Sequence, residues 1–380
     1  MTTPAPLALY VHWPYCARIC PYCDFNVVKA RGGPEPAALA QAIIADLKAQ
    51  AALTGSRRLA SIFLGGGTPS LMDPAWAAQI ISAAKDAWSP ARDLEVTLEA
   101  NPTDAEAARF EAFRAAGVDR LSLGVQALDD ASLSFLGRNH GADEAIRAAT
   151  LAARTFPRLS IDLIYARPGQ TTADWTEELS RAVGLGAEHI SPYQLTIEPG
   201  TAFDAARRRG RLVPADPDLA ADLFEITQAV LEQAGFDAYE VSNHARGAMA
   251  QSRHNLAYWR GDEYAGVGPG AHGRLDGRGV RTATVTARGV GDYVAAVTAT
   301  GVGVVEREPL TPRARAEERL LSGLRIAKGV SRQEVAALSF SPDRIADLVA
   351  DGLLADDPER LRATPAGRRV LDSLIQAICA

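Results

Sequence analysis

The stretch Leu7-Ala-Leu-Tyr-Val-His-Trp-Pro-Tyr-Cys16-Ala-Arg-Ile-Cys20-Pro-Tyr-Cys23 joins an apolar run to three closely spaced cysteines. The apolar run, residues 7–12, predicts a buried β-strand. The cysteines follow it in a C-x3-C-x2-C pattern, and the fourth cysteine of the chain, Cys379, lies near the other end. Four cysteines placed in this way are not a disulfide framework. Three thiols just after a strand instead predict a metal or cluster site.

Outward from this stretch, the first half of the chain repeats one pattern of an apolar run, a loop and an alanine-rich amphipathic segment. The predicted strands are residues 7–12, 59–64, 94–99, 120–125, 159–165 and 189–197. The predicted helices are residues 36–53, 74–88, 104–116, 143–155 and 173–184. Strands that alternate with helices form a parallel sheet with right-handed crossovers. Six units are too few for a closed eight-stranded barrel, so we expect an open, partial barrel with ligands at the carboxyl ends of its strands.

Two further segments follow this α/β region. Residues 236–305 are rich in glycine and aromatic residues and predict short strands and loops that close one side of the barrel. Residues 306–380 predict helices at 313–323, 331–338, 342–351 and 365–378 with a small hairpin, which is typical of a winged-helix-like α+β domain. We therefore expect a core domain over residues 1–235, a connecting segment over 236–305 and a C-terminal domain over 306–380.

Charge and hydropathy exclude several functional classes. The 380 residues include 40 lysines and arginines against 46 acidic residues, a net charge of −6, which has the wrong sign for bulk binding of nucleic acid. Residues 306–380 are neutral, so the winged-helix-like domain lacks the basic face typical of DNA contact. The apolar stretches fall short of the ~20 residues of a membrane span, and the amino terminus does not resemble a signal peptide. We expect a cytoplasmic protein.

The residues alone leave two kinds of metal site open. A structural zinc ion normally takes four protein ligands, so His12 or Asp24 would have to supply the fourth. The corresponding function would be a zinc-stabilised regulator that acts through the C-terminal domain. An iron-sulfur cluster usually takes four thiolates, so a three-cysteine site would leave one iron open to a small molecule.

The C-x3-C-x2-C loop, with Tyr10-Val11-His12 before it and Asp24-Phe25 after it, resembles the loop of the radical S-adenosylmethionine (SAM) superfamily. The resemblance implies a partial (β/α)6 barrel. It also implies that Cys16, Cys20 and Cys23 bind three irons of a [4Fe-4S] cluster while SAM chelates the fourth. Cleavage of SAM to a 5′-deoxyadenosyl radical is chemistry that belongs to these cofactors rather than to side chains.

Other segments resemble one branch of the superfamily, which contains oxygen-independent coproporphyrinogen III dehydrogenase and its heme-chaperone relatives. The run Gly65-Gly66-Gly67-Thr68 follows the second strand, where glycines let backbone approach a ligand closely. Polar residues follow the later strands. The resemblance implies that SAM is contacted by these residues: Tyr10, Tyr22, Gly66, Gly67, Thr68, Glu99, Gln126, Arg138 and Asp162.

Two departures separate the chain from the dehydrogenase. The chain has Phe25 where the dehydrogenase has a fourth cysteine, and six residues precede Leu7 where the dehydrogenase has a long extension. Together with the motif His254-Asn255-x-x-Tyr258-Trp259, these features resemble the heme chaperones of HemW type. The resemblance implies a heme site at His254, Tyr258 and Trp259, and the spare candidate histidines are His189, His244 and His272.

The expected function is therefore that of a heme chaperone. It would bind a [4Fe-4S] cluster, SAM and heme and transfer heme to acceptor proteins, with respiratory enzymes as candidate acceptors. The heme donor, SAM cleavage and a homodimer are left open, and no side chain is assigned a catalytic role. The alternative function is oxidative decarboxylation of coproporphyrinogen III in porphyrin biosynthesis.

Overall fold

The computed structural model of the chain describes residues 5–30, 36–277 and 279–379. The strands of these residues are, in chain order, β1 (Pro6–Trp13), β2 (Tyr15–Cys16), β3 (Val28–Lys29), β4 (Arg58–Gly66), β5 (Ser89–Ala100), β6 (Arg120–Gln126), β7 (Arg158–Tyr165), β8 (His189–Gln194), β9 (Asp237–Glu240), β10 (Asn243–Ala245), β11 (Glu263–Val267), β12 (His272–Gly277), β13 (Val280–Thr286), β14 (Val304–Pro309), β15 (Val330–Ser331) and β16 (Arg360–Leu361).

The α-helices of the same residues are α1 (Pro36–Thr54), α2 (Pro74–Ala87), α3 (Asp104–Ala107), α4 (Phe110–Ala115), α5 (Asp130–Phe135), α6 (Ala142–Thr155), α7 (Thr172–Val183), α8 (Ala202–Arg208), α9 (Pro217–Gln233), α10 (Arg253–Arg260), α11 (Val290–Thr300), α12 (Pro312–Gly323), α13 (Pro342–Ala350), α14 (Pro365–Arg369) and α15 (Leu371–Cys379). Short 3-10 turns lie at Pro69–Leu71, Ala248–Ala250 and Ala336–Leu338.

Twelve of the strands form one sheet in the order β14-β13-β12-β11-β1-β4-β5-β6-β7-β8-β10-β9. From β1 to β8 every neighbouring pair is parallel. These six strands are the ones that the sequence pattern predicts, and helices connect them. The prediction of a partial six-stranded barrel is confirmed.

Alternation along the strands makes the barrel interior polar. In β1, Leu7, Leu9 and Val11 belong to the buried apolar core, whereas Tyr10 and His12 line a cavity. Successive side chains of a strand point to opposite faces of the sheet, so the apolar set packs against the helices and the other set points inward. The interior can therefore present hydrogen-bonding and charged groups to a ligand.

The segment after residue 236 contains more regular structure than the sequence pattern predicts. Strand β11 lies parallel to β1, with Tyr10 opposite Gly266, and β12, β13 and β14 continue the sheet in antiparallel order. The segment also contains α10 and α11, where strands and loops were expected. The local cap of α10 is the hydrogen bond from the Asn255 N–H to Ser252 Oγ (3.2 Å), and a helix of eight residues leaves little signal in the sequence.

Two predicted elements differ from the structure, and α9 was not predicted. The predicted helix 104–116 divides into α3 and α4, and the guanidinium of Arg109 at the break donates to the backbone oxygens of Ser70 and Met72. The strand predicted over residues 189–197 ends at Gln194. The unpredicted α9 begins with Pro217 after Asp216, whose side chain accepts from the Asp218 N–H (2.9 Å). That aspartate-proline start is a recognisable signal that the sequence analysis missed.

The C-terminal residues form a small core of their own, in which Leu320, Leu348 and Leu374 take part. The helix predicted over residues 331–338 is wrong, because Val330 and Ser331 pair with β16 and only a 3-10 turn follows. The helix predicted over residues 365–378 is interrupted between α14 and α15. The domain boundaries at residues 235 and 305 stay a prediction.

Candidate cofactor site

A cavity of about 430 Å³ lies at the carboxyl ends of the barrel strands, and we call it the cluster cavity. Its volume is in the range usual for ligand sites. All but one of the residues that the sequence analysis assigned to the cluster and SAM line this cavity. They are Cys16, Cys20, Tyr22, Cys23, Gly66, Gly67, Thr68, Glu99, Gln126, Arg138 and Asp162. The exception is Tyr10, which lines a neighbouring cavity.

Backbone hydrogen bonds fix the cysteine loop. Strands β2 and β3 pair next to it, and the Cys23 N–H donates to the Cys20 oxygen (3.2 Å). None of the three thiols is in a disulfide. Burial raises the pKa of the Cys16 thiol, and it raises that of Cys23 to about 11. Because a metal binds the thiolate, loading this site releases protons.

Arg138 provides a test of whether the loop fits an iron-sulfur cluster. Its guanidinium donates from Nη1 to Cys20 Sγ (3.4 Å) and from Nη2 to the Gly124 oxygen (3.0 Å), and its buried Nε has no partner among the residues that the structure describes. A buried cation with a spare donor beside three thiols fits a negatively charged group. Among the residues described, no three histidine, cysteine or acidic side chains are arranged to hold a single metal ion.

The glycine loop closes one wall of the cluster cavity. A Cβ atom added at Gly67 would lie 2.7 Å from the backbone of Pro14, and one at Gly66, where φ is +110°, would lie 2.6 Å from the His12 ring. The Gly66 N–H donates to Glu99 Oε2 (3.0 Å). Glycine is therefore required at both positions for the loop to pack against the cysteine loop.

Two half-buried carboxyl groups, Glu99 and Asp162, lie close to each other inside the barrel. Burial, and then the charge of Asp162, raise the pKa of Glu99 to about 7. Burial also raises the pKa of Asp162 to about 6, although hydrogen bonds such as the one from Ser122 Oγ (3.0 Å) lower it. Paired carboxyl groups with raised pKa values are typical of functional sites. A cationic or hydrogen-bond-donating ligand would satisfy both.

The sequence analysis missed Asn101, which bridges two parts of this site. Its Oδ1 accepts from Arg138 Nη2, and its Nδ2 donates to Thr68 Oγ1 (3.1 Å). Asn101 lies two residues after Glu99, so its place just beyond the end of β5 is the signal that could have found it.

The motif residues 254–259 lie on α10, which closes the barrel near the amino ends of its strands. The N–H groups of Arg253 and His254 donate to Glu95 Oε1 (3.0 and 3.2 Å). His254 is 1% exposed, its Nδ1 lies 3.0 Å from Ser61 Oγ, and its ring stacks on Phe63 at 4.7 Å. Burial lowers its pKa to about 3, so the imidazole is neutral.

The structure does not bring the three predicted heme residues to one cavity. The guanidinium carbon of Arg325 lies 4.7 Å from the centre of the Trp259 ring. Tyr258 instead lines a second cavity. The His254 ring is enclosed and offers no open face to a heme. The assignment of heme to these residues stays a prediction.

The second cavity has a volume of about 560 Å³ and lies between β1 and the strands β11–β14. We call it the tyrosine cavity, because Tyr10, Tyr258 and Tyr264 line it. It shares a wall with the cluster cavity, formed by Asp24, Phe25, Gly66 and Glu99. Sequence reasoning missed this cavity because it forms only when β11 pairs with β1, some 250 residues away in the chain.

Comparisons with known proteins agree with this geometry. Residues 10–182 match the model of the Radical SAM superfamily, and residues 310–370 match that of the HemN C-terminal domain. Heme chaperone HemW of Mycobacterium tuberculosis is 35% identical over 376 residues, which cover 98% of this chain and 95% of the relative. The chain belongs to the HemW family of radical SAM proteins. Radical S-adenosyl methionine domain-containing protein 1, mitochondrial, of Bos taurus is 41% identical over 396 residues, covering 99% of this chain and 89% of the relative.

The architecture of this HemW family member is also that of a solved structure. Coproporphyrinogen III oxidase (HemN) from Escherichia coli superposes with a TM-score of 0.82 at 21% identity, covering 99% of this chain and 91% of that chain. At this identity the likeness shows the fold alone. Membership of the radical SAM superfamily implies a [4Fe-4S] cluster and SAM.

Within the described ranges, none of the helices combines the length and apolar character that a membrane crossing requires.

Proposed function

We propose that this protein is a heme chaperone of the cytoplasm, which binds a [4Fe-4S] cluster, SAM and heme and transfers heme to an acceptor protein. The observation that carries the proposal is that eleven predicted cluster and SAM residues meet in one cavity of a chain whose curated relatives include heme chaperones. Respiratory enzymes are the candidate acceptors.

In this proposal Cys16, Cys20 and Cys23 hold the cluster, with one iron left to bind SAM. Bound together, the cluster and SAM supply one-electron chemistry. The protein's own contribution is electrostatic. Arg138 offsets the negative charge of the thiolates, while Glu99 and Asp162 accept hydrogen bonds or pair with the positive charge of SAM.

The remaining SAM contacts follow from the walls of the two cavities. Gly66, Gly67 and Thr68 form a wall without large side chains, and Tyr22 lies on the cysteine loop itself. Gln126, the last residue of β6, has a φ of +67° and lines the cavity. Tyr10 is proposed to contact SAM from the side of the tyrosine cavity.

Phe25 separates this function from oxidative decarboxylation. Its ring is 61% exposed and lies on the wall that the two cavities share. A phenyl ring can neither bind iron nor donate a proton. If a fourth cysteine at this place is needed for decarboxylation, this chain lacks that activity, whereas heme binding makes no such demand.

The test is a loading and transfer experiment. Protein reconstituted without oxygen should hold about four irons and four sulfides per chain, the composition of a [4Fe-4S] centre. Hemin added to it should develop a saturable Soret band, and the heme should then move to an apo-hemoprotein supplied in excess. Failure to bind hemin, or retention of heme against the acceptor, would overturn the proposal.

A further inference from the structure

Accessibility separates the six histidines of the chain, all of which the structure describes. His272 is exposed, and the buried ones are His12, His140, His189, His244 and His254. A histidine that ligates the iron of an incoming heme must offer a free ring nitrogen to the cavity that receives the macrocycle. By this criterion His272, at the start of β12, is the available ligand.

Hydrogen bonding supports the same choice. His12 is bonded at both ring nitrogens, to Tyr10 Oη (2.9 Å) and to the Asn26 oxygen (2.8 Å). One nitrogen of His254 is used by Ser61, and the other is enclosed in the barrel. The His272 ring has no hydrogen-bond partner among the residues described. Burial and the positive charges of Arg274 and Arg288 lower the pKa of His272, although the negative charge of Glu306 acts in the opposite direction. The lowered pKa favours the neutral ring, which is the form that binds iron.

The register of the sheet directs His272 into the tyrosine cavity. His272 is opposite Val285 on β13, and Val285 is opposite Glu306 on β14. Residues directly opposite each other on neighbouring strands share a face of the sheet, and all three line the cavity. Strand β11 approaches this row closely, because a Cβ atom added at Gly266 would lie 2.0 Å from the His272 backbone oxygen.

Part of the cavity wall is aromatic and matches the flat face of a macrocycle. Tyr258 and Tyr264 meet edge to face, with ring centres 4.4 Å apart. Aromatic rings of this kind offer large apolar surfaces to a macrocycle. The volume of about 560 Å³ is in the range of cofactor sites. The Phe25 ring, on the shared wall, adds an exposed apolar surface next to the cluster cavity.

One charged group of the cavity, Arg288, is suited to pair with a carboxylate of a ligand. Arg288 lines the cavity, is exposed, and has no ion pair among the described residues. The Asn26 side chain donates to the backbone oxygen of Arg288 (3.0 Å) and so fixes the loop. The acidic groups of the cavity are Asp24, Glu99 and Glu306. Arg288 is the one arginine or lysine among the described residues of the lining, so it is the group that can pair with a carboxylate.

We propose that the tyrosine cavity is the heme site, that His272 ligates the iron, and that Arg288 pairs with a propionate. This inference rests on the proposed function, because heme is the ligand that function supplies. His254 then serves as a positioning residue. Its ring meets Tyr258 edge to face at 4.9 Å and lies 6.2 Å from the Tyr10 ring, so it holds two walls of the cavity in place.

The test compares hemin titrations of the full-length, cluster-loaded protein and its variants. His272→Ala should lose the optical and electron paramagnetic signature of histidine ligation and bind hemin about ten-fold or more weakly. Added imidazole should restore that signature. His254→Ala should keep the signature of histidine ligation, whatever its affinity. Arg288→Gln should weaken binding, whereas the matched control Arg313→Gln, at a position 72% exposed and outside the cavity, should not.

The outcomes separate this inference from the proposed function. If the parent protein does not bind hemin, the proposed function fails. If the parent binds hemin and His272→Ala binds it with the parent's spectrum and affinity, the inference fails while the function stands. Loss of the histidine signature in His254→Ala, with rescue by imidazole, would also overturn it. His272→Met gives a second check, because it should replace the histidine signature with that of a thioether ligand.

Discussion

Replacing Glu99 by glutamine should stabilise the cluster-free protein at alkaline pH. Glu99 is half-buried in the wall of the cluster cavity, and its pKa rises from 4.5 to about 7 because of desolvation and the nearby charge of Asp162. The folded state therefore keeps this proton to higher pH than the unfolded chain does. The stability of the parent should fall as the pH rises between these two pKa values, because the unfolded state loses its proton first.

The magnitude follows from the two pKa values. One pKa unit corresponds to about 1.4 kcal/mol, so an ionised Glu99 destabilises the empty fold by about 3 kcal/mol above pH 7. Glutamine keeps an oxygen that can accept from the Gly66 N–H, and it carries no charge. We expect the gain in free energy of unfolding to be close to zero below pH 4.5 and to approach about 3 kcal/mol near pH 8.

Urea denaturation of parent and variant at both ends of this pH range measures the effect. The matched control is Glu177→Gln, which changes an exposed glutamate on α7 and should alter the stability little at either pH. The Glu99→Gln variant should also bind SAM more weakly, since stabilising changes at a binding site commonly reduce function. A gain that is equal at both pH values, or no gain at all, would refute the reasoning about the half-buried carboxyl pair.

The remaining predictions concern the cluster and the contacts between the barrel strands and α10. Replacing Cys16, Cys20 or Cys23 by alanine should abolish the cluster in iron and sulfide analyses while Cys379→Ala retains it, and one zinc per chain with no iron uptake would contradict the assignment. Glu95→Ala should lower the free energy of unfolding by about 3 to 5 kcal/mol in urea denaturation, because it leaves Arg120 unpaired in the interior and removes the acceptor at the start of α10. Asp93→Ala, which removes a 61% exposed partner of Arg253, should cost less than about 1 kcal/mol, and an equal loss in both variants would contradict the role of burial.

The barrel could be predicted from the sequence because its signals are local. Each strand of residues 7–165 carries its own apolar run, and the cysteine and glycine loops lie directly after β1 and β4. Glu99, Gln126 and Asp162 could be placed near one another because the ends of parallel strands meet at one edge of the sheet. The convergence of these side chains on the cluster cavity follows from the topology alone.

The tyrosine cavity could not be predicted in the same way. It depends on the pairing of β11 with β1 and on the position of α10, and both arise from contacts between residues far apart in the chain. The motif residues 254–259 show the consequence. Their sequence suggests one ligand-binding group. In the structure they lie on α10, and His254, Tyr258 and Trp259 have different surroundings.

The measurement that tests the account most directly is made on a single anaerobic sample of the cluster-loaded protein. Hemin binding is followed in one portion, and conversion of coproporphyrinogen III in the presence of SAM and a reductant in the other. The account predicts saturable hemin binding and no protoporphyrinogen. Steady formation of protoporphyrinogen, at the ~1 to 10³ turnovers per second of ordinary enzymes, without hemin binding would contradict it.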